Sequence, residues 1–305
     1  MRKTLSREEI RASLTGPVAS LRTVFLADGA IDESGVRACV DFAIAAGSRT
    51  VLLTFGDSLY SVLTDAEVAE VTKTVAAQAA GRAVVVAADR QWWTGKAVEF
   101  ARYAREVGAD VVMVLPPDWG ASCTVQSLVG HYAAVAREAP VMVVTGVFRP
   151  RGMGFGLEVL ARLRDDAPGI AAVKDDYCGE FGRRMCLLVH DRCAVIAGGQ
   201  KQNHLDLLSY GCDGYLSTFI TFRPEVAHAY WSAVTTNDLA GARSVIRDFD
   251  MPFFDFIVGL PGGFDAGIHG CYEICGIAGR WRRKPYHSLT DGEMERLKEF
   301  LDKSP

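Results

Sequence analysis

The chain has 305 residues, 49% of them hydrophobic and 23% charged, and a formal net charge of -4. This is a globular composition with apolar material for a large core, and it offers no basic surface for nucleic acid or an anionic membrane. No run of 18 apolar residues marks a membrane span, and Met1 to Arg11 is polar without a signal-type apolar stretch, so a cytoplasmic protein is expected.

Short β-branched runs alternate with amphipathic helical patterns along the chain. Runs at 18–25 and 50–54 are followed by helical patterns at 33–46 and 64–79. Runs at 83–88, 110–115 and 140–145 precede patterns at 94–107, 124–136 and 157–163. Runs at 170–174, 194–197 and 214–217 precede patterns at 186–191, 202–210 and 224–235. Eight strands each followed by a helix predict an α/β fold, a (β/α)8 TIM barrel. A doubly wound open sheet would place a glycine fingerprint after its first strand, and none is there. Beyond 236 the strand signals stop, and 239–249, 266–276 and 291–301 read as helices. The expected organisation is a barrel over 1–235 and a C-terminal helical extension over 236–305.

Smaller features are read along the way. Eight scattered cysteines form no C-x-x-C pair and predict reduced thiols; Cys271 and Cys275, four apart, read as helix packing. The stretch from Arg151 to Gly156, with alternating glycines, is expected to be a mobile loop. His204 is expected at the surface, and no histidine pairing predicts a metal site.

In a barrel of this type the chemistry sits where the strands end and the following loops begin. That rule selects Thr54 with Phe55-Gly56-Asp57, Asp89-Arg90, Pro116 to Trp119, Thr145 to Arg149, Lys174-Asp175-Asp176, Gly198-Gly199 and Ser217-Thr218. Lys174 ends a buried run, where desolvation disfavours an ammonium and favours an amine able to attack a carbonyl carbon. The competing reading is a snorkelling lysine that reaches water or pairs with Asp175. A lysine, hydroxyls, arginines and glycine-lined backbone in one mouth suit a 2-oxo acid. Lys174 would take the ketone, and Thr54 and Arg149 would hold the carboxylate.

Several of these pieces also carry a resemblance. Leu53-Thr54-Phe55-Gly56-Asp57 sits where one family has G-T-T-G-E, and Gly108-Ala109-Asp110 leads to Leu115-Pro116-Pro117 as in its G-A-D and P-P segment. Ala172-Val173-Lys174-Asp175 resembles a G-I-K-D/E Schiff-base lysine segment. Gly211-Cys212-Asp213-Gly214-Tyr215-Leu216-Ser217 resembles G-x-x-G-x-I-S, and Arg283-Lys284-Pro285 resembles R-x-P. From about Gly16 to Leu301 the chain resembles the dihydrodipicolinate synthase / N-acetylneuraminate lyase family of class I aldolases. The resemblance implies a barrel with a C-terminal helical bundle, a homo-oligomer (tetramer or dimer), and Lys174 as Schiff-base nucleophile.

The departures are specific. Where the family has Y-N-x-P, whose tyrosine relays protons, this chain has Val144 followed by Thr145-Gly146-Val147. Arg149 fits the carboxylate-binding arginine, with Arg151 as the fallback. Phe55 replaces a threonine, Asp57 a glutamate, and Asp118-Trp119 the aromatic pair of the fourth loop. Asp175, Asp176, Tyr177 and Thr145 are open as substitute proton relays, and Asp175 and Asp176 read equally well as caps of the next helix. Trp92, Trp93 and Trp119 read as pocket lining or as subunit-interface packing.

The resulting expectation is a Schiff-base lyase of aldolase or dehydratase type acting on a 2-oxo acid such as pyruvate or a sugar-derived keto acid. Its catalytic residues would be Lys174, Asp175 and Thr145, and its substrate-binding residues Thr54, Phe55, Arg149, Gly198, Ser217 and Trp119. No metal or organic cofactor is called for, because the protonated imine is itself the electron sink. Dihydrodipicolinate synthesis is not expected without the tyrosine. The alternative is a barrel that keeps the lysine but has lost catalysis and serves as a ligand-binding or regulatory protein.

Overall fold

Runs of valine, isoleucine and alanine three to six residues long, buried almost throughout, must satisfy their backbone groups by pairing on both sides. In the computed structural model, which describes residues 4–303, they do so as eight parallel strands. These are β1 (Gly16–Ser20), β2 (Thr50–Leu52), β3 (Val84–Ala88), β4 (Val111–Val114), β5 (Val141–Val144), β6 (Ile170–Asp175), β7 (Ala194–Ala197) and β8 (Gly214–Ser217). The order runs from β1 to β8 and closes, with Gly214 of β8 opposite Gly16 of β1. Closure removes every sheet edge, and the TIM barrel expected from the pattern is the observed fold.

Around it lie α2 (Glu33–Ala45), α3 (Asp65–Ala79), α4 (Thr94–Val107), α5 (Val125–Ala136), α6 (Met153–Asp166), α7 (Gly179–Val189), α8 (Lys201–Leu207) and α9 (Pro224–Thr235). Thr64 and Thr124 start α3 and α5 with capping boxes closed by Glu67 and Ser127. Ahead of the barrel, α1 (Arg7–Leu14) buries Ile10 and Leu14 and is capped by Ser6 and Glu9. After α9 come α10 (Leu239–Val245), α11 (Met251–Val258), α12 (Gly263–Ile274) and α13 (Asp291–Lys303). Met1 to Lys3 and Ser304 to Pro305, the ends of the two expected ranges, lie outside the described residues. Among the described residues no helix is long and apolar enough to cross a membrane.

Four elements differ from expectation. The first strand stops at Ser20 rather than running to Phe25, because its partner β2 offers only three residues. Leu21 N–H still bonds to Leu52 O (2.9 Å), and the chain then leaves the ladder. The glycine-rich stretch after Arg151 is not an open loop: a 3-10 turn spans Thr145–Arg151 and α6 begins at Met153. Gly156 is a packing requirement there, since a Cβ would stand 2.9 Å from both Phe148 Cβ and Phe181 Cε2. The third difference is α11, which continues α10 through a π-turn at Ile246–Asp250 where a helix end was expected. Finally, His204 is fully buried rather than at the surface, with Nδ1 2.8 Å from the Tyr230 hydroxyl, and desolvation pushes it down to about 4.

Candidate active site

Successive strand residues point to opposite faces, so Lys174 and Asp175 at the end of β6 cannot share a surface. Lys174 is almost wholly buried and its amine enters a cavity of about 340 Å³ at the C-terminal ends of the strands. Thr54 and Phe55, on the loop after β2, line the same cavity, together with Asp57. The far wall is apolar: Met113 and Leu115 from the end of β4, Val144 from β5 and Leu216 from β8.

Asp175 points outward, which corrects its assignment beside the reacting amine. Its carboxylate accepts from the Thr145 hydroxyl (2.6 Å), Tyr177 N–H (3.1 Å) and Cys178 N–H (3.3 Å), just ahead of α7. Desolvation raises its pKa despite those donors. Nor does it cap α7, whose N-cap residue is Cys178 without a side-chain cap; the Asp175 carboxylate holds the turn through Tyr177 and Cys178 that leads into the helix. Thr145 belongs to the same support: its oxygen also accepts from Asp176 N–H (2.9 Å) and Tyr177 N–H (3.0 Å), and it does not line the cavity.

The loop held in this way turns Asp176 back to the parity of Lys174. Both Asp176 carboxylate oxygens lie 2.6 Å from Lys174 Nζ. Gly198 sits against this carboxylate, where a Cβ would overlap Asp176 Oδ1, and its N–H bonds to Asp175 O (2.8 Å). Glycine at 198 is therefore what admits Asp176; Gly199 lines the cavity in its place. Parity alone could have separated the two aspartates, since residues i and i+2 of an extended segment share a face.

Three other expected contacts fall elsewhere. Ser217 faces away from the cavity side taken by Leu216, and its Oγ accepts from Ile220 N–H (3.3 Å). Arg149 donates to Asp176 O (2.9 Å) and Tyr177 O (3.0 Å) at the exposed rim, and no arginine lines the cavity; Arg151 pairs with Asp118 (2.8 Å). Trp119 is 93% exposed on the loop after β4, and Trp93 is 67% exposed. Trp92 donates its indole N–H to Asp65 (3.2 Å) and packs edge-on to Phe100. Of the carboxylate holders, Thr54 remains: its oxygen accepts from Asp57 N–H (2.9 Å), and the hydroxyl proton has no acceptor among the described residues.

Arg22, just past β1, was not foreseen. Its buried guanidinium stands 3.9 Å from Asp57 on the cavity wall and 3.9 Å from Asp265 of α12, and it lies over Phe264. A lone charge within an apolar run has no partner nearby in sequence; its partners come from the loop after β2 (Asp57) and from α12 (Asp265).

Asp89, after β3, lies behind Leu115. Its Oδ1 accepts from Leu115 N–H (2.9 Å) and Gln91 N–H (3.3 Å), and its Oδ2 has no partner. Desolvation pushes its carboxyl up to about 8, against the pull of those two donors. Such an acid is protonated in the folded chain at pH values where the unfolded chain has released the proton. The stability it contributes is whole below the ordinary aspartate value of 3.8 and is lost as pH rises to about 8. Asp89→Asn keeps the Oδ1 acceptor and removes the ionisation, so it should raise the melting temperature at pH 8 by roughly 2–4 °C. A series of thermal melts in which both proteins decline equally from acid to pH 8 would contradict this.

A family model described as "Dihydrodipicolinate synthetase family" matches residues 13–304. A probable 5-dehydro-4-deoxyglucarate dehydratase of Bradyrhizobium sp. (strain ORS 278) is 28% identical over 93% of this chain and 90% of its own. A 4-hydroxy-tetrahydrodipicolinate synthase of Acidobacterium capsulatum is 30% identical over 93% of this chain and 94% of its own. Among solved structures, YagE of E. coli K12, a prophage protein crystallised with pyruvate, superposes with a TM-score of 0.81. It is 22% identical, over 95% of this chain and 98% of that one.

Proposed function

The chain belongs to the dihydrodipicolinate synthetase family, and on that premise we propose that it is a Schiff-base lyase of aldolase or dehydratase type acting on a 2-oxo acid. The observation that carries this reading is Lys174, a nearly buried amine at the end of β6 that opens into a cavity at the strands' C-terminal ends. The amine adds to the keto carbon, water leaves, and the resulting iminium withdraws electrons from the neighbouring carbon–carbon or carbon–oxygen bond. In this reading the Thr54 hydroxyl donates to the substrate carboxylate and Phe55 narrows the wall beside it, a role supported by the position of both on the cavity lining. The apolar face of Met113, Leu115, Val144 and Leu216 excludes water from the imine. Pyruvate, which YagE holds in its crystal, is the simplest 2-oxo acid to try.

The experiment is reductive trapping. Incubation with pyruvate and borohydride should add the mass of the reduced adduct to the peptide that contains Lys174. No adduct with pyruvate or with a panel of longer 2-oxo acids would sink the lyase reading in favour of a barrel without catalysis.

We also propose that the working form is a homo-oligomer, a tetramer or dimer. Two indoles, Trp93 and Trp119, stand largely exposed on the loops after β3 and β4, where a second copy would cover them. Light scattering that gives the monomer mass of 33.1 kDa at micromolar concentration would dismiss it.

A further inference from the structure

Schiff-base chemistry moves protons at several steps, and the cavity wall is poor in groups that can carry them. Val144, Met113, Leu115 and Leu216 have none to give, and the Thr54 hydroxyl stays neutral at working pH. Asp57 lines the cavity but is faced by Arg22 at 3.9 Å. Tyr177 stacks on Phe181 at 4.2 Å and does not line the cavity. Asp176 alone among the described residues brings a carboxylate into contact with Lys174 Nζ, through both oxygens.

We propose that Asp176 is the acid–base group of this site, a role that rests on the lyase reading above. The starting point is the Lys174–Asp176 ion pair. Transfer of one proton from Nζ to Asp176 leaves an amine with a free electron pair and a neutral acid. The amine's pair forms the N–C bond while the carbonyl pair moves to oxygen, and that oxygen takes a proton from the new ammonium to give the carbinolamine. Asp176 then gives its proton to the hydroxyl, the C–O bond breaks, and water leaves as the nitrogen pair forms the iminium. The carboxylate so regenerated removes a proton from the carbon next to the iminium, whose C–H pair becomes the enamine double bond. Each step returns Asp176 to the state the next one requires, with no outside oxidant or reductant.

The surroundings of Asp176 fit this role better than that of a surface counter-ion. Its N–H is fixed by Thr145, whose hydroxyl is fixed in turn by buried Asp175. Gly146 and Gly198 leave room on either side, and a side chain at 198 would occupy the place of Oδ1. Two glycines, a threonine and a second aspartate therefore converge on one carboxylate orientation. A general acid–base must be within hydrogen-bond reach of the proton it moves, and this one is.

The test needs only pyruvate. In D2O the methyl protons of pyruvate exchange for deuterium when the imine forms and a base acts at the adjacent carbon, and proton NMR reads the loss. The wild type should exchange, and Asp176→Asn should slow the exchange by about 10²–10⁴-fold. It should also lose the acid limb of the pH–rate profile while still yielding a borohydride-trapped adduct at Lys174 on long incubation. Circular dichroism and a thermal melt would establish that the variant is folded. Exchange at the wild-type rate, or an unchanged pH profile, would overturn the assignment, as would a wild type that traps pyruvate without exchanging it. A folded variant that neither traps nor exchanges would also overturn it, and would make Asp176 a group that merely places the amine. A wild type that traps no 2-oxo acid at all removes the lyase reading instead, and this assignment with it.

Discussion

Lys174→Arg should give a folded barrel that traps no 2-oxo acid under borohydride and turns over at least about 10⁴-fold more slowly than the wild type. Arginine keeps the positive charge and can still reach a carboxylate with paired donors, so Asp176 retains a partner. What it lacks is a removable proton: a guanidinium stays charged in proteins and offers no electron pair to a carbonyl. The variant therefore separates electrostatics from nucleophilicity at one position. Lys174→Met is the harsher change, since it leaves the Asp176 carboxylate without its ion partner at the mouth of an apolar cavity. Its melting temperature should fall below that of the arginine variant. Retention of adduct by Lys174→Arg, mapped to any other lysine, would mean that the nucleophile has been placed wrongly.

The barrel was legible because its elements are locally self-consistent. The run Val141-Met142-Val143-Val144 is mostly β-branched, too short for a helix and bounded by Pro140 and Gly146, so it reads as a buried strand. Thr64 with Glu67 announces a helix start that the structure places at the next residue. Legibility failed where a distant segment decides. Three glycines after Arg151 argue against a helix by propensity, yet Gly156 is there to let α6 approach Phe148 and Phe181. His204 is polar on a short helix, and only the packing of α9 against it makes it a buried hydrogen-bond partner of Tyr230.

The site divides in the same way. Lys174, Thr54 and Phe55 followed from the rule that strand ends carry the chemistry, and all three line one cavity. The strand-end rule does not say which way each following side chain turns. It therefore grouped Asp175 with Lys174 although strand alternation sets them on opposite faces, and it grouped Ser217 with the cavity although Leu216 holds that side. Arg149 depended on loop geometry that residue spacing does not encode, and its guanidinium is engaged by the carbonyls of Asp176 and Tyr177.

The largest effect on stability should come from a buried ion pair outside the residues that line the cavity. Lys201 and Asp250 are both buried, 3% and 2% exposed at their side chains, and their charged atoms are in direct contact. Burial pulls the lysine's pKa down and the aspartate's up, and their mutual attraction opposes both shifts. Lys201 is the first residue of α8, whose N-cap Gln200 makes no side-chain cap, and Asp250 also accepts from its N–H (3.4 Å). Asp250 closes the π-turn that joins α10 to α11, so this pair ties the helices beyond α9 to the loop after β7. The ammonium further lies 4.3 Å from the Phe219 ring centroid. Removing one partner strands the other in an apolar site, so Lys201→Met should destabilise the protein by about 3–5 kcal/mol. The double variant Lys201→Met with Asp250→Leu removes both charges, and because a buried ion pair can often be replaced by apolar side chains at little cost, it should recover most of that loss. Thermal melts and urea titrations of the two singles and the double give the coupling directly. Additive losses in the double variant would mean that the two residues stabilise the fold independently, and that the contact is not what holds the last helices to the barrel.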